Sequence, residues 1–315
     1  MIALRGLTRR FPGGRGIFDL SFEVAEGEAF GYLGPNGAGK TTTIRHLMGF
    51  LRADAGVAEI DGLDAWSEAA RVQERVGYVP GELGFPDEMT GTEFLALLAG
   101  MRSLADTTWR DDLLARFDLE PATPIRKMSK GTKQKLALVA AFMHRPRVLI
   151  LDEPTSGLDP LMQRRFLDLL GEEHVRGTTV LISSHAFVEV ERLCDRVGII
   201  KDGRLVAAED VRGLRQAQRK VFRVGLGGAD DAATLRAAGL TLLREDGDQV
   251  DVEVRGDYAA FVRALATVDV RSLDVHELDL EEVFMQFYGA GEVRGDESSP
   301  IRHAPSQGRA ERREL

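Results

Sequence analysis

Short apolar runs separated by polar, glycine-rich turns predict a mixed α/β fold. Three β-like runs open the chain, at Ile2–Leu7, Phe18–Val24 and Ala29–Leu33. The run Val148–Leu151 is apolar without alternation, which is typical of a central parallel strand covered on both faces. A second buried strand is predicted at Thr179–Ser183. The chain should therefore build a parallel sheet in its middle.

Helical periodicity separates these strands. Apolar residues at three-to-four spacing predict helices at Thr42–Phe50, within Thr90–Phe117, from about Ser129 to His144, and from about Leu161 to Val175. The stretch Thr90–Ala140 is therefore expected to form a helical insert beside the sheet.

The pattern changes near Gln216. From there the order of alternating and helical segments is β-α-β-β-α-β, which predicts a small ferredoxin-like domain. A closing helix is predicted at Leu280–Tyr288, whereas the last residues are polar and low in apolar side chains, as in disordered tails. We expect three parts: residues 1–215, residues 216–290 and residues 291–315.

Composition excludes several classes of protein. The chain has 315 residues, 43% hydrophobic and 29% charged, which predicts a soluble globular protein. No apolar run approaches the roughly 20 residues of a membrane span. A net charge of −9 argues against nucleic acid as a main partner. The single cysteine, Cys194, excludes an intramolecular disulfide framework and is best interpreted as a small buried residue.

A phosphate-binding loop follows the third β-like run. It fits the pattern G-x-x-x-x-G-K-[ST] and precedes a predicted helix. Its glycines allow backbone N–H groups to turn inward around an anion, and the helix directs its positive N-terminus at the same place. Lys40 is expected to reach the β- and γ-phosphates, and the Thr41 hydroxyl to bind Mg²⁺. The nucleotide-binding residues of this loop are Gly34, Pro35, Asn36, Gly37, Ala38, Gly39, Lys40, Thr41 and Thr42.

Four further side chains are candidates for the same site. Asp152 ends a buried strand and is predicted to hold Mg²⁺, whereas Glu153 is predicted to activate the attacking water as general base. His185 follows the next parallel strand and is predicted to contact the γ-phosphate. Phe11 precedes a glycine-rich turn, where it could stack on the nucleotide base or end a strand in the core; both interpretations stay open.

Together these motifs resemble the nucleotide-binding subunit of an ABC transporter over residues 1–215. The loop resembles Walker A, Val148–Glu153 resembles Walker B, Ser156–Asp159 resembles the D-loop, and His185 stands where that family has its switch histidine. The resemblance implies a P-loop ATPase core with a β-rich N-terminal subdomain and a helical insert, followed here by the small α+β domain. It also places Asp159 at the nucleotide.

The signature motif of that family is matched with changes at Met128–Thr132. Lys130 stands in place of the first of two paired glycines, and Thr132 in place of a glutamine, whereas Ser129 and Gly131 are kept. Such a Ser-Lys-Gly form resembles cassettes that are partnered with ABC-2 type permeases. The resemblance places Ser129 and Gly131 on the ATP of the opposite subunit.

The second departure concerns the Q-loop. The family usually has glutamine after Tyr78–Pro80, where this chain has Gly81 and Glu82. Glu82 is the nearest polar replacement, and its carboxylate could bind Mg²⁺. Alternatively, Glu82 faces solvent and Gly81 only gives the loop freedom; both interpretations stay open.

The resemblance implies a Mg²⁺-dependent ATPase at the cytoplasmic face of the cell membrane. Its expected partners are an integral-membrane ABC-2 type permease, exporting drugs, antibiotics or lipids, and a second copy or a homologous ATPase in a head-to-tail dimer. The alternative is a soluble ABC ATPase acting on ribosomes or DNA. Those relatives usually carry two cassettes or a long coiled coil, and neither is visible here. A third possibility, an ATP sensor with little turnover, is disfavoured by Glu153 and His185.

Overall fold

The computed structural model describes residues 1–184, 187–211, 220–254 and 258–277, which form three sheets with helices packed against them. His185, the predicted helix Leu280–Tyr288 and the tail 291–315 lie outside the described residues. The strands are β1 (Ile2–Arg10), β2 (Gly16–Val24), β3 (Ala29–Leu33), β4 (Ala55–Ile60), β5 (Leu63–Asp64), β6 (Val76–Val79), β7 (Val148–Asp152), β8 (Thr179–Ser184), β9 (Arg196–Lys201), β10 (Arg204–Asp210), β11 (Lys220–Leu226), β12 (Thr241–Asp246), β13 (Gln249–Val254) and β14 (Val270–Glu277). The helices are α1 (Lys40–Leu47), α2 (Ala69–Arg75), α3 (Gly91–Met101), α4 (Thr108–Arg116), α5 (Lys130–Phe142), α6 (Pro160–Val175), α7 (Phe187–Leu193), α8 (Ala229–Ala237) and α9 (Tyr258–Leu265).

The central sheet has the strand order β10-β9-β3-β8-β7-β6. All neighbours in it are parallel except β10, which pairs antiparallel with β9. Every residue of β3, β7 and β8 is buried, as expected for strands covered on both faces. The predicted parallel sheet is confirmed, and its carboxyl edge collects the loops that follow β3, β7 and β8.

The N-terminal strands form an antiparallel sheet in the order β2-β1-β4-β5. Its apolar face packs on the central sheet and on α1. The rings of Phe22 in β2 and Phe30 in β3 stack with centroids 5.2 Å apart, which joins the two sheets directly. This packing holds the turn after β1 beside the loop after β3.

The helical insert packs on the other face of the central sheet. A capping box starts α3, because the Thr90 hydroxyl accepts from the backbone of Glu93 and the Glu93 carboxylate accepts from that of Thr90. Phe142 of α5 meets Phe166 of α6 edge to face, with centroids 6.4 Å apart. The pattern predicted as helical between Thr90 and Phe117 divides into α3 and α4, and neither α2 nor β10 was predicted.

The C-terminal sheet has the order β12-β13-β11-β14 and is antiparallel throughout. With α8 and α9 this is the predicted β-α-β-β-α-β arrangement, so the ferredoxin-like fold is confirmed. Phe222 and Phe261 lie at its centre with ring centroids 4.4 Å apart. None of the helices in the four described ranges combines the length and apolar composition that a membrane span requires.

Candidate functional site

The phosphate-binding loop turns directly from β3 into α1. Gly37 and Gly39 have φ angles of +84° and +113°, which side-chain-bearing residues rarely adopt. A Cβ on Gly39 would also lie 2.8 Å from the Ile17 side chain. The Thr43 hydroxyl donates to the Gly39 carbonyl at 3.0 Å and lies 3.2 Å from the Tyr32 hydroxyl. The loop is therefore fixed from both flanking elements.

Lys40 lies inside this loop. Its side chain is 7% exposed, and its ammonium group donates to the Gly34 carbonyl at 2.6 Å. The same nitrogen lies 3.5 Å from Oε1 of Glu153. The ammonium group of Lys40 and the carboxylate of Glu153, which follows β7, thus lie close together at the carboxyl edge of the sheet.

The Thr41 hydroxyl and the Asp152 carboxylate, two possible metal ligands, lie together beside the loop. The Thr41 hydroxyl donates to Oδ2 of Asp152 at 2.8 Å, and the Ser183 hydroxyl donates to Oδ1 of the same carboxylate, which is fully buried. Hard oxygen ligands of this kind fit Mg²⁺, which usually takes one or two protein ligands together with substrate phosphates. Within the described ranges, no group of three or more histidine, cysteine or acidic side chains could hold a metal by itself.

Glu153 is held in an uncommon backbone conformation. Its φ angle is +49°, and its N–H donates to the Ser183 carbonyl at 3.1 Å. The neighbouring strand β8 therefore stabilises a conformation that costs about 1–3 kcal/mol, as often occurs at functional sites. In this conformation Glu153 lines the cleft beside the phosphate-binding loop.

The cleft at this edge has a volume of about 310 Å³ and includes Phe11. Phe11 is partly exposed, and the guanidinium of Arg9 lies 5.5 Å from its ring centroid. Its position favours the base-stacking interpretation over the core interpretation. The residues that line the cleft are Phe11, Arg15, Gly16, Pro35, Asn36, Gly37, Gly39, Lys40, Thr41, Thr42 and Glu153.

The signature residues lie outside this cleft. Ser129 caps the N-terminus of α5, accepting from the Thr132 N–H at 3.1 Å. Gly131 lies against the D-loop, where a Cβ would be 2.7 Å from the Gly157 carbonyl oxygen. Asp159 caps α6 by accepting from the Met162 N–H at 3.0 Å. One chain by itself therefore brings the phosphate loop and Glu153 together, but not its signature.

The loop after β6 approaches Asp152 through Gly81. A Cβ on Gly81 would lie 3.0 Å from Oδ2 of Asp152, tighter than almost all such contacts. Glu82 is exposed and does not line the cleft. His185 is outside the described residues, so its predicted role stays a prediction.

Sequence reasoning missed Ser183 and Arg15. Ser183 lies opposite Asp152 in the β7–β8 pairing, and a polar residue ending an apolar strand was the available signal. Arg15 lies in the turn after Phe11 and lines the cleft. No local pattern distinguishes it from other exposed arginines, because its place depends on how the first sheet packs.

A second cavity, of about 390 Å³, lies at the opposite edge of the central sheet and is rich in arginine. Two of its three arginines are ion-paired: Arg147 lies 2.8 Å from Glu26 and 3.6 Å from Asp61, and Arg176 pairs with Glu173, while the guanidinium of Arg145 lies over the Trp109 ring. It therefore offers a poorer anion site than the loop after β3.

Similar known proteins include ATP-binding proteins of ABC transporters, which agrees with the geometry of the site. A family model described as ABC transporter matches residues 17–156. The bacitracin transport ATP-binding protein BcrA of Bacillus licheniformis is 31% identical over 313 residues, covering 93% of this chain and 99% of BcrA. A solved ATP-binding subunit of an ABC transporter is 30% identical, with a TM-score of 0.64, covering 69% of this chain and 92% of that one. The cassette MJ0796, solved as a dimer in a post-hydrolysis state with ADP and Pi, shares the fold at 20% identity, with a TM-score of 0.61 and coverage of 68% and 100%.

Proposed function

The chain belongs to the family of ABC transporter ATP-binding subunits and is an ATPase, and we propose that it uses ATP hydrolysis to drive a separate integral-membrane permease of the ABC-2 type. The observation that carries this proposal is the convergence in one cleft of Lys40, the Thr41–Asp152 pair and Glu153. Export of an antibiotic, drug or lipid is supported by the full-length likeness to a bacitracin transport protein.

In this proposal, water attacks the γ-phosphate in line with the leaving ADP. The Glu153 carboxylate orients the water and accepts its proton, and Lys40 with the loop N–H groups stabilises the charge on the phosphates. His185 is assigned to the γ-phosphate on its sequence position alone. Phe11 stacks on the base.

Thr41 and Asp152 are the residues proposed to hold Mg²⁺. The ion would neutralise phosphate charge during transfer. Ser183 keeps the Asp152 carboxylate oriented through the hydrogen bond to Oδ1, and burial shields this carboxylate from water. Glu82 stays a third candidate ligand, with the solvent-facing interpretation as its alternative.

A second subunit completes the site in this proposal. Ser129 and Gly131 do not line the cleft of their own chain, so the signature can serve only another nucleotide. A head-to-tail pair, of two copies or of this chain and a homologous ATPase, would bring each signature to the opposite cleft, with Asp159 near the interface. The dimeric form of MJ0796 supports this arrangement.

The permease is proposed to dock beside the loop after β6. There Phe50 is 54% exposed, and its ring meets Tyr78 edge to face with centroids 5.9 Å apart. A permease segment bound at Phe50 would therefore lie next to the loop that contains Gly81, and this loop contacts Asp152. This docking would place the protein at the cytoplasmic face of the membrane.

The chemistry is tested with Glu153→Gln, which keeps the shape of the side chain but removes the base. Turnover should fall about 10²–10⁴-fold while ATP still binds, and ATP should trap a dimer visible by size-exclusion chromatography. Glu172→Gln on α6 is the control, because that acid pairs with Arg116 away from the cleft. Near-normal turnover in Glu153→Gln would remove this residue from its role.

The partner is tested by purifying the protein with its membrane fraction. A permease should co-purify and stimulate the ATPase, and Phe50→Glu should abolish both effects without changing basal turnover. Val175→Glu is the control, since Val175 is an exposed apolar residue at the end of α6, next to the amino end of β8 and therefore at the opposite edge of the central sheet. Association with ribosomes alone would instead support the soluble ABC ATPase.

A further inference from the structure

Lys130, one of the two residues that depart from the family signature, contacts the D-loop of its own chain. Its ammonium group donates to the Ser156 hydroxyl at 3.1 Å. Its aliphatic stem covers Gly157 so closely that a Cβ there would lie 3.3 Å from the nearest lysine carbons. With the backbone approach of Gly131 to the Gly157 carbonyl, the start of α5 and the D-loop form one packed unit.

The D-loop is in turn tied to Glu153. The Ser156 N–H donates to the Glu153 carbonyl at 3.1 Å, which closes a tight turn between them. Gln134 of α5 donates to the Pro154 carbonyl inside that turn at 2.7 Å and is buried. A displacement at the start of α5 therefore reaches the backbone of Glu153 through a short series of hydrogen bonds.

Helix stability does not account for a lysine at this position. Lys130 is the first residue of α5, Lys133 follows in the same turn, and that turn has no acidic residue. Positive charge at a helix N-terminus opposes the helix dipole. Lys133 has an acid nearby, Asp87 at 3.6 Å, whereas the hydrogen bond of Lys130 is made to the neutral hydroxyl of Ser156.

We propose that Lys130 is a positioning residue that couples the signature to the general base of the same chain. This inference rests on the proposed function. When Ser129 and Gly131 bind the ATP of the opposite subunit, the start of α5 shifts, and Lys130 transmits that shift through Ser156 to Glu153. Each subunit then becomes competent for hydrolysis only after it has engaged its partner's nucleotide.

The test is a double-mutant cycle on the full-length protein with Lys130→Met and Ser156→Ala. Each single variant should lower kcat about tenfold, within the range of coupled hydrogen-bonded pairs, with little change in KM and with loss of cooperativity in ATP. The double variant should be no slower than either single one. Lys130→Arg should keep most of the activity, and Lys133→Met is the matched control for lost charge in the first turn of α5.

Two outcomes overturn the proposal. Full activity of Ser156→Ala together with slow Lys130→Met would mean that the ammonium acts elsewhere, and an additive loss in the double variant would mean that the two residues act independently. The Glu153→Gln background separates this failure from that of the proposed function. If the proposed function holds, ATP must trap a dimer of the Glu153→Gln variant, and this dimer should still form when Lys130→Met is added. If Glu153→Gln alone traps no dimer, the proposed function fails first.

Discussion

At the scale of single residues, the site depends on close approaches that few side chains permit. Gly81 is an example, because its backbone lies directly against the carboxylate of Asp152. A glutamine at this position, the usual residue in the family, would bring its Cβ to 3.0 Å from Oδ2 of that carboxylate. The loop after β6 therefore contacts the proposed metal ligand through backbone, whatever the role of Glu82.

Gly81→Ala should impair the Mg²⁺-dependent reaction. A methyl group 3.0 Å from Oδ2 of Asp152 forces this oxygen to shift by a few tenths of an ångström, and the oxygen also accepts from Thr41. We expect kcat to fall about tenfold and the Mg²⁺ requirement to rise, as for misplaced catalytic groups. Gly84→Ala, three residues along the same loop, is the control, since a Cβ there meets nothing within 4 Å. Equal activities of the two variants would contradict the prediction.

His144 should make stability depend on pH. Burial, and secondarily the charge of Arg102, lower the pKa of its imidazole to about 4 from an ordinary 6.5. The unfolded chain therefore gains a proton as pH falls through 6.5, whereas the folded chain does not until about pH 4. The free energy of unfolding should decrease over this window, by at most about 2 kcal/mol at pH 5.

Urea unfolding at pH 7 and pH 5 measures this effect. His144→Gln lacks the titrating group, so its loss of stability between the two pH values should be smaller than that of the unchanged protein. The same loss in both proteins would assign the pH dependence to other groups.

At the scale of elements, the carboxyl edge of the central sheet is held by helix caps. Asp159 ends the D-loop and begins α6, with Pro160 in the first turn of that helix. The same residue thus closes the loop that contains Ser156 and starts a helix of the core. Local helix stability and the position of the D-loop are for this reason linked.

Asp159→Ala should lower the free energy of unfolding by about 1 kcal/mol, the usual cost of losing an N-cap hydrogen bond. Asp159→Asn keeps an acceptor for the Met162 N–H and should stay within a few tenths of the unchanged value. Denaturant unfolding compares the two variants. If Asn destabilises as much as Ala, then charge and not capping is what matters at this position.

At the scale of the whole molecule, the C-terminal sheet has a core of its own. The buried residues of that core all lie between Phe222 and Ala264. Val211, by contrast, packs in the core of the central sheet, and its N–H donates to the Asp195 carbonyl at 2.9 Å. We propose on these grounds that the ATPase domain is residues 1–215 and that residues 216–290 form a regulatory or dimer-stabilising domain.

A chain ending just after Val211 should fold and bind ATP, but lose part of its dimer stability or its coupling to the permease. A chain ending at Lys201 is the informative control, because it also lacks β10, the edge strand of the central sheet, and should be unstable. Nucleotide-binding titrations and size-exclusion chromatography distinguish these results. Loss of ATP binding in a folded chain ending after Val211 would show that the C-terminal domain contributes to the site.

Local sequence determined the elements whose signals lie within a few residues. The phosphate loop, the uniformly apolar β7 and the alternating strands after Gln216 each carry their own pattern, so the fold class and the motifs were predictable. The family resemblance added predicted roles for Ser129, Gly131 and Asp159, which no local pattern provides.

Only the tertiary structure decided which of these residues meet. Phe11 lies in the cleft because the first sheet packs on the central one, and Ser183 reaches Asp152 because β8 pairs with β7 in that register. Lys130 meets Ser156 across 26 positions of the chain, and Gly81 meets Asp152 across a longer separation. Such contacts depend on how strands and helices pack, and a periodic pattern of apolar residues specifies the buried face of an element but not its neighbour.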